Sequence, residues 1–297
     1  LIASEILFTT ILLFITDIYF RNNKYKYVLL GIFTAAGTMV KPFFIIFAFA
    51  IFLIEVIKSK KFFTSIKHTL VIFIVAMICL SPWVYRNTKL IGQPTFISNN
   101  GGIVLYLNNN SQNTTGRWMP SSKIKNSVLD TNEYKAANAT AKNKILTTEA
   151  KKWIINNPSK FIMLGSKRLF NTYLDGDDIF FSMYGSGLNQ TTKFLLFNLT
   201  NCLKYFIYIP AIIFILINTI LILQSIIKRK SDTFNMFTLY IVILFYMFSC
   251  VYFITEGQGR YSFPQIFIFI YCFYYMLKIL ILKITQIKSR IKLRKIK

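Results

Sequence analysis

Histidine is almost missing from this 297-residue chain, with His68 the single example. That argues against a His-based metal centre and against a Ser-His-Asp triad. His68 borders a basic loop, where a lone imidazole reads as solvated. Cysteine is scarce too: Cys79, Cys202, Cys250 and Cys272, with no CxxC pair. Three of the four lie in apolar runs and read as small apolar residues, so neither a disulfide framework nor a metal site is expected. Glycine and proline, at 12 and 7, are too few for a low-complexity chain, and no internal repeat is evident. There is no initial methionine and no signal-peptide n-region. Leu1 lies inside an apolar run, which reads as a fragment whose N-terminal part is missing.

Acidic residues are few as well, 11 against 35 Lys and Arg, for a net charge of +24. In a soluble protein that balance points to nucleic acid. Here the charges cluster beside apolar runs: Arg21, Lys24, Lys26; Lys58, Lys60, Lys61, Lys67; Lys228, Arg229, Lys230; and Lys283 through Lys297. This is the positive-inside pattern, for which anionic lipid is a sufficient partner. No aromatic-basic nucleic-acid module is visible, and nucleic acid is not expected as a partner.

Apolar residues make up 54% of the chain and are grouped. Seven segments stand out: Ser4–Phe20, Val28–Met39, Phe43–Ile57, Leu70–Val84, Phe206–Ile227, Phe234–Thr255 and Tyr261–Leu282. About 20 apolar residues span the hydrocarbon core as a helix. Val28–Met39 and Phe43–Ile57 are each too short, and two readings exist. One long helix would put Lys41 near the bilayer centre, at about 2.5–3.5 kcal/mol, and Pro42 would remove a backbone hydrogen bond there. A hairpin of two short helices avoids both and carries Lys41-Pro42 to the far surface or a water-filled cavity.

The expected fold is therefore an all-α polytopic membrane protein. Its domains are a transmembrane region over 1–85 with the short hairpin at about 28–57, an extracytoplasmic domain over 86–204, three transmembrane helices over 205–284 and a basic cytoplasmic tail over 285–297. The domain over 86–204 is expected to be small and mixed. It has turn chemistry at Ser98-Asn99-Asn100-Gly101-Gly102 and a polar helical stretch from about Asn132 to Asn156. Pro158 starts a second helix near Ser159–Tyr173, with Phe161, Leu164, Leu169 and Phe170 on one stripe. That helix is expected along the membrane surface, with Lys160, Lys167 and Arg168 near headgroups. Asp175-Gly176-Asp177-Asp178 reads as a turn, since the rest of an EF-hand is lacking. The sequons at Asn109, Asn113, Asn138, Asn189 and Asn198 carry little weight in so asparagine-rich a chain.

Charges at the ends of apolar runs are the sharpest chemical signal. Glu5, Lys41, Arg86, Glu256 and Arg260 all fall at the outer ends of helices in this topology. Lys41, Arg86 and Arg260 suit a phosphate or pyrophosphate held at headgroup level. The bland alternative is that each snorkels to the interface. Asp17 and Glu55, at the other end, read as interfacial and paired with nearby lysines.

Several motifs in order carry a resemblance. They are Ser4-Glu5, Gly31…Gly37-Thr38…Lys41-Pro42, and Ser81-Pro82-Trp83-Val84-Tyr85-Arg86-Asn87. Gly92, Ile97-Ser98-Asn99-Asn100-Gly101-Gly102, Leu105-Tyr106, Asn108-Asn109-Asn110 and Thr115-Gly116 follow. Trp153-Ile154…Asn157-Pro158…Phe161 and Arg260-Tyr261…Pro264 complete the set. Together they resemble a family 39-type glycosyltransferase of the GT-C superfamily, akin to protein O-mannosyltransferases and aminoarabinose transferases. The resemblance implies a GT-C-like helix bundle in a cytoplasmic (inner) membrane. It also implies inverting transfer of a sugar from a polyprenyl-phosphate-linked donor to a lipid-linked glycan, protein or cell-envelope acceptor. It places the catalytic base, an Asp or Glu, in a loop upstream of Leu1, and names no cofactor while leaving a divalent cation open. On this reading Lys41 and Arg260 take the phosphate, and Arg86, Asn87, Asn99, Asn100, Gly101 and Gly102 roof the sugar, with Glu5 and Tyr261 beside them. Lys41 is followed directly by Pro42, and Asn108-Asn109-Asn110 replaces the more usual Gly-Asn-Asn; both departures bear on donor identity. The competing classes are a polysaccharide polymerase or ligase, a lipid-linked glycan transporter or flippase, and an inactive scaffold. The first lacks its paired arginines, and the second lacks inverted repeats and mid-depth charges.

Overall fold

A computed structural model describes residues 2–175, 183–228 and 234–294. Among these residues there are helices and 3-10 turns and no strand. In chain order the α-helices are α1 (Ile2–Phe20), α2 (Lys26–Val40), α3 (Phe47–Ser59), α4 (Phe62–Ile91), α5 (Gly101–Asn108), α6 (Asn132–Ala136), α7 (Ala139–Asn156), α8 (Pro158–Tyr173), α9 (Gln190–Ile227), α10 (Met236–Ile254) and α11 (Ile266–Arg294). Six stretches are long and apolar enough to cross a membrane: Ala3–Phe20, Pro42–Ser59, Phe62–Ile91, Gln190–Ile227, Met236–Ile254 and Gly259–Ile287. The chain is a multi-pass membrane protein, and its many exposed Leu, Ile and Phe side chains along these helices are what a lipid-facing surface requires.

The chain divides into two compact units. One is Leu1–Tyr173 with Ile243–Pro264, the other Leu174–Val242 with Gln265–Lys297. The polar segment 86–204 is therefore shared between units. Its part up to Tyr173 is helical and irregular rather than mixed. In the second unit, α9 runs 38 residues, about 57 Å at 1.5 Å per residue. The apolar run Phe206–Ile227 is only its C-terminal part. Here α9 and α11 pack through Tyr208 stacked on Phe269 at 4.0 Å and Phe206 edge-on to Phe273 at 5.2 Å. The Asp175-Gly176-Asp177-Asp178 turn and Arg229-Lys230 lie outside the described residues beyond Asp175 and Lys228, and so does the end of the tail after Arg294.

In the first unit the chain turns at Lys41-Pro42. Lys41 leaves the helix with extended dihedrals (φ −131°, ψ 100°), and Pro42 begins a 3-10 turn, Pro42–Ile46, that leads into α3. Proline suits that position because its missing N–H would be unsatisfied there in any case. At the open end, the Tyr27 hydroxyl of α2 donates to Glu55 Oε1 of α3 at 2.8 Å. One continuous helix would hold residues 28 apart about 42 Å from each other, so the chain must reverse. Gly37 makes the reversal compact: a Cβ there would run into the Phe44 ring of the turn. Phe44 is fully buried and meets Phe8 edge-on at 5.0 Å, and Phe8 meets Phe248 of α10 at 6.0 Å. The hydroxyls of Thr34 and Thr38 are satisfied within α2, each bonding a carbonyl one turn back at 2.7 Å. The end of α1, the start of α2, the end of α3 and the start of α4 thus share one end of this unit, with the basic residues Arg21, Lys24, Lys26, Lys58, Lys60 and Lys61. The start of α1, the Lys41-Pro42 turn and the end of α4 share the other. Residues 92–173 follow from that second end.

Those residues form a helical layer with its own core of Tyr106, Leu107, Ile124, Leu146 and Ala150. α5 lies against α7 at Gly102, where a Cβ would collide with the Asn143 carbonyl. That contact brings the Gly102 N–H to Asn143 Oδ1 at 2.6 Å. Helix α8 does not carry Arg168 to headgroups as expected. Its buried stripe is Leu164, Gly165, Arg168, Asn171 and Thr172, while Phe170 is exposed.

Candidate functional site

Glu5 sits in the first turn of α1, where a carboxylate complements the helix N-terminus. It is 5% exposed. Lys41 Nζ reaches its Oε1 at 2.5 Å. The same ammonium lies 5.0 Å from the centre of the Tyr261 ring, a cation–π distance. Arg260 brings its guanidinium to 5.4 Å from that ring. Tyr261 stacks on Tyr252 at 5.5 Å, and the Tyr252 hydroxyl donates to the Tyr261 carbonyl at 3.0 Å. The Tyr261 hydroxyl in turn donates to Glu256 Oε2 at 3.0 Å, and Gln258 Nε2 bonds the other oxygen of that carboxylate. Three separated pieces of sequence, around residues 5, 41 and 252–261, therefore meet through Tyr261.

Arg168 of α8 is fully buried. It donates to the carbonyls of Phe253 at 2.7 Å and Ile254 at 3.2 Å, to Asn109 Oδ1 at 3.0 Å, and to the Asn108 carbonyl. The last carbonyls of α10 have no intrahelical donor, so a cation on them is doubly favourable. Burial lowers its pKa to about 10, and the Glu256 carboxylate pulls the other way, so it stays charged at neutral pH. Asn109 adds its own amide to the Ile254 carbonyl at 3.0 Å. The Asn-rich run is thus a fastening. Asn110 and Asn113 close the turn after α5 through eight bonds at 2.9–3.2 Å between their side chains and backbone atoms of 106–117. Two sequons, Asn109 and Asn113, are buried; Asn138 and Asn189 cap α7 and α9.

Of the expected site residues, Glu5, Lys41, Arg260 and Tyr261 come together. Arg86 does not join them: its guanidinium stacks on Trp83 at 4.8 Å and donates to Asn87 Oδ1 at 3.2 Å. Asn87 holds the next loop by donating to the carbonyls of Phe96 and Ile97 at 2.9 and 3.1 Å. Asn99 bonds Thr140, Asn100 accepts from Ser98, and Gly101 and Gly102 start α5. Each of these has work inside the protein. Arg168 was missed, although a signal existed: it falls on the apolar stripe of its helix, where a charge must be paired.

At the opposite end of the unit, His68 is not simply solvated. Its Nδ1 lies 2.7 Å from Glu55 Oε2, and its ring stacks on Tyr27 at 3.7 Å. Glu55 is engaged by Tyr27 and His68 rather than read off against lysines, while Asp17 pairs with Arg21 at 3.0 Å. Among the described residues no three His, Cys, Asp or Glu gather as a metal-ligand set, so a divalent cation finds no such set here. No family model, curated protein or solved structure matches the chain.

Proposed function

We propose that the protein is a membrane glycosyltransferase of the GT-C, family 39-like type. It moves a sugar from a polyprenyl-phosphate donor to an acceptor hydroxyl on the extracytoplasmic face, in a bacterial cytoplasmic membrane. The observation that carries the reading is the convergence of Lys41, Arg260, Glu5 and Glu256 around Tyr261. It lies at the end of the first unit from which residues 92–173 extend. The short basic loops gather at the other end, which the positive-inside rule assigns to the cytoplasm. A lipid phosphate must lie at headgroup depth while its tail stays in lipid, and cations at helix ends are placed for it.

In the transfer, the acceptor oxygen forms a bond to the anomeric carbon as the bond from that carbon to the phosphate oxygen breaks. The electron pair leaves with polyprenyl phosphate. Lys41 and Arg260 stabilise the charge that grows on that oxygen, Glu5 orients the Lys41 ammonium, and Tyr261 is the platform between the cations. Arg168 acts through others: it fixes the 253–256 turn and so the position of Glu256. The proton released by the acceptor hydroxyl ends on the departing phosphate, so that hydroxyl and donor become glycoside and hydrogen polyprenyl phosphate.

Membranes containing the protein, supplied with a panel of radiolabelled polyprenyl-phosphate sugars, test the reading. Label should pass to a lipid, protein or glycan acceptor. Lys41→Met and Arg260→Met should each lower turnover about 100- to 1000-fold, the range for one charge-stabilising donor. Movement of intact donor across the bilayer without transfer would replace the reading with a flippase.

A further inference from the structure

Glu5 contains an unanswered acceptor. Its Oε1 is occupied by Lys41, whereas Oε2 is buried and has no hydrogen-bond partner among the described residues. The neighbouring hydroxyls are committed elsewhere: Tyr252 to the Tyr261 carbonyl, Tyr261 to Glu256, and Thr9 to the carbonyl of Glu5 itself at 2.7 Å. A desolvated carboxylate oxygen with no donor is strongly unfavourable. The acceptor also lies on the far oxygen of the carboxylate that holds Lys41.

We infer that Glu5 Oε2 receives a hydroxyl or ammonium group carried by the ligand next to the anion that Lys41 binds, so that the site selects glycosylated lipid phosphate over bare lipid phosphate. This rests on the lipid-phosphate reading above. A bare phosphate meets Lys41 with an uncompensated carboxylate beside it. A sugar phosphate supplies the missing donor as well as the anion. The same asymmetry favours departure of the bare lipid phosphate once the sugar has been transferred.

The full chain in lipid nanodiscs is titrated with two probes, undecaprenyl phosphate and undecaprenyl-phosphate glucose. The unaltered protein should prefer the glycosylated probe. Glu5→Gln should move the two affinities in opposite directions: about ten-fold weaker for the glycosylated probe, from loss of a charge-assisted bond, and about three-fold tighter for the bare one, from removal of a neighbouring like charge. If both affinities move together, or neither moves, the role of Glu5 is overturned while the Lys41 site stands. If a fall in melting temperature comes with unchanged selectivity, the protein itself fills Oε2, and the proposal fails. If the unaltered protein binds neither probe, the lipid-phosphate reading fails and Glu5 loses its role with it. Should Glu5→Gln not fold, Glu5→Asp, which keeps the charge but withdraws the oxygen, must still reduce the preference for the glycosylated probe; an unchanged preference refutes the inference.

Discussion

Replacing Arg168 with methionine removes the guanidinium and keeps most of its volume. The loss can be worked from its four acceptors. The Ile254 carbonyl keeps a donor, the Asn109 amide at 3.0 Å. The Phe253 and Asn108 carbonyls and Asn109 Oδ1 each lose the bond received from Arg168. A buried acceptor left unmatched is unfavourable by about 1–3 kcal/mol, so the three together give about 3–9 kcal/mol. Glu256 also loses a favourable charge interaction with Arg168. A destabilisation in the middle of that range lowers the melting temperature by roughly 20 °C for a unit of this size. Thermal unfolding of detergent-purified protein, followed by tryptophan fluorescence, measures it. Arg168→Lys should recover only part of the loss, because one ammonium cannot serve carbonyls on α10 and on the turn after α5 together. A methionine variant that melts within 2 °C of the unaltered protein, about 1 kcal/mol or less, would refute the account of Arg168 as the tie between α8, α10 and the Asn-rich turn.

Three further outcomes follow from the geometry. Gly102→Ala drives a methyl into the Asn143 carbonyl, so α5 and α7 should part, with a destabilisation of about 1–3 kcal/mol; hydrogen exchange in both helices should quicken, and unchanged exchange would contradict the close contact. Tyr27→Phe and Glu55→Gln should couple by about 0.5–1.5 kcal/mol in a double-mutant cycle, whereas additive effects would deny the 2.8 Å bond that closes the hairpin. Single cysteines at Lys60 and Gln93, in a background without Cys79, Cys202, Cys250 and Cys272, flank the 30-residue α4. An impermeant thiol reagent should label them from opposite sides of the membrane; labelling from one side would remove α4 as a span.

The membrane helices were legible because the apolar runs are grouped, and because Lys41-Pro42 makes one long helix through Val28–Ile57 unfavourable. The expected reversal at Lys41-Pro42 followed from the energy of a buried charge and a broken hydrogen bond, and Tyr27 and Glu55 lie 2.8 Å apart across it. The ends of the long helices were less legible. Residues 190–205 carry Lys193, Asn198 and Asn201 among apolar neighbours, and hydropathy alone does not reveal that they continue α9. The partners of single polar side chains were the least legible. His68 reads as solvated until the reversal at Lys41 brings Glu55 and Tyr27 to it. Arg168 reads as a headgroup contact until its stripe is seen to be the buried one. Charges at helix ends pointed to Glu5, Lys41 and Arg260, but nothing in the spacing showed that Arg86 stacks on Trp83 instead of joining them.

The central claim is that Lys41, beside Glu5 and Tyr261, holds a lipid phosphate. Equilibrium binding of undecaprenyl phosphate to the protein in nanodiscs of neutral lipid tests it most directly. Saturable binding should be about 10- to 100-fold weaker in Lys41→Met, the loss of one charge-assisted contact of about 1.5–3 kcal/mol, and unchanged in Lys58→Met at the opposite end. Equal binding by the unaltered protein and Lys41→Met would contradict it.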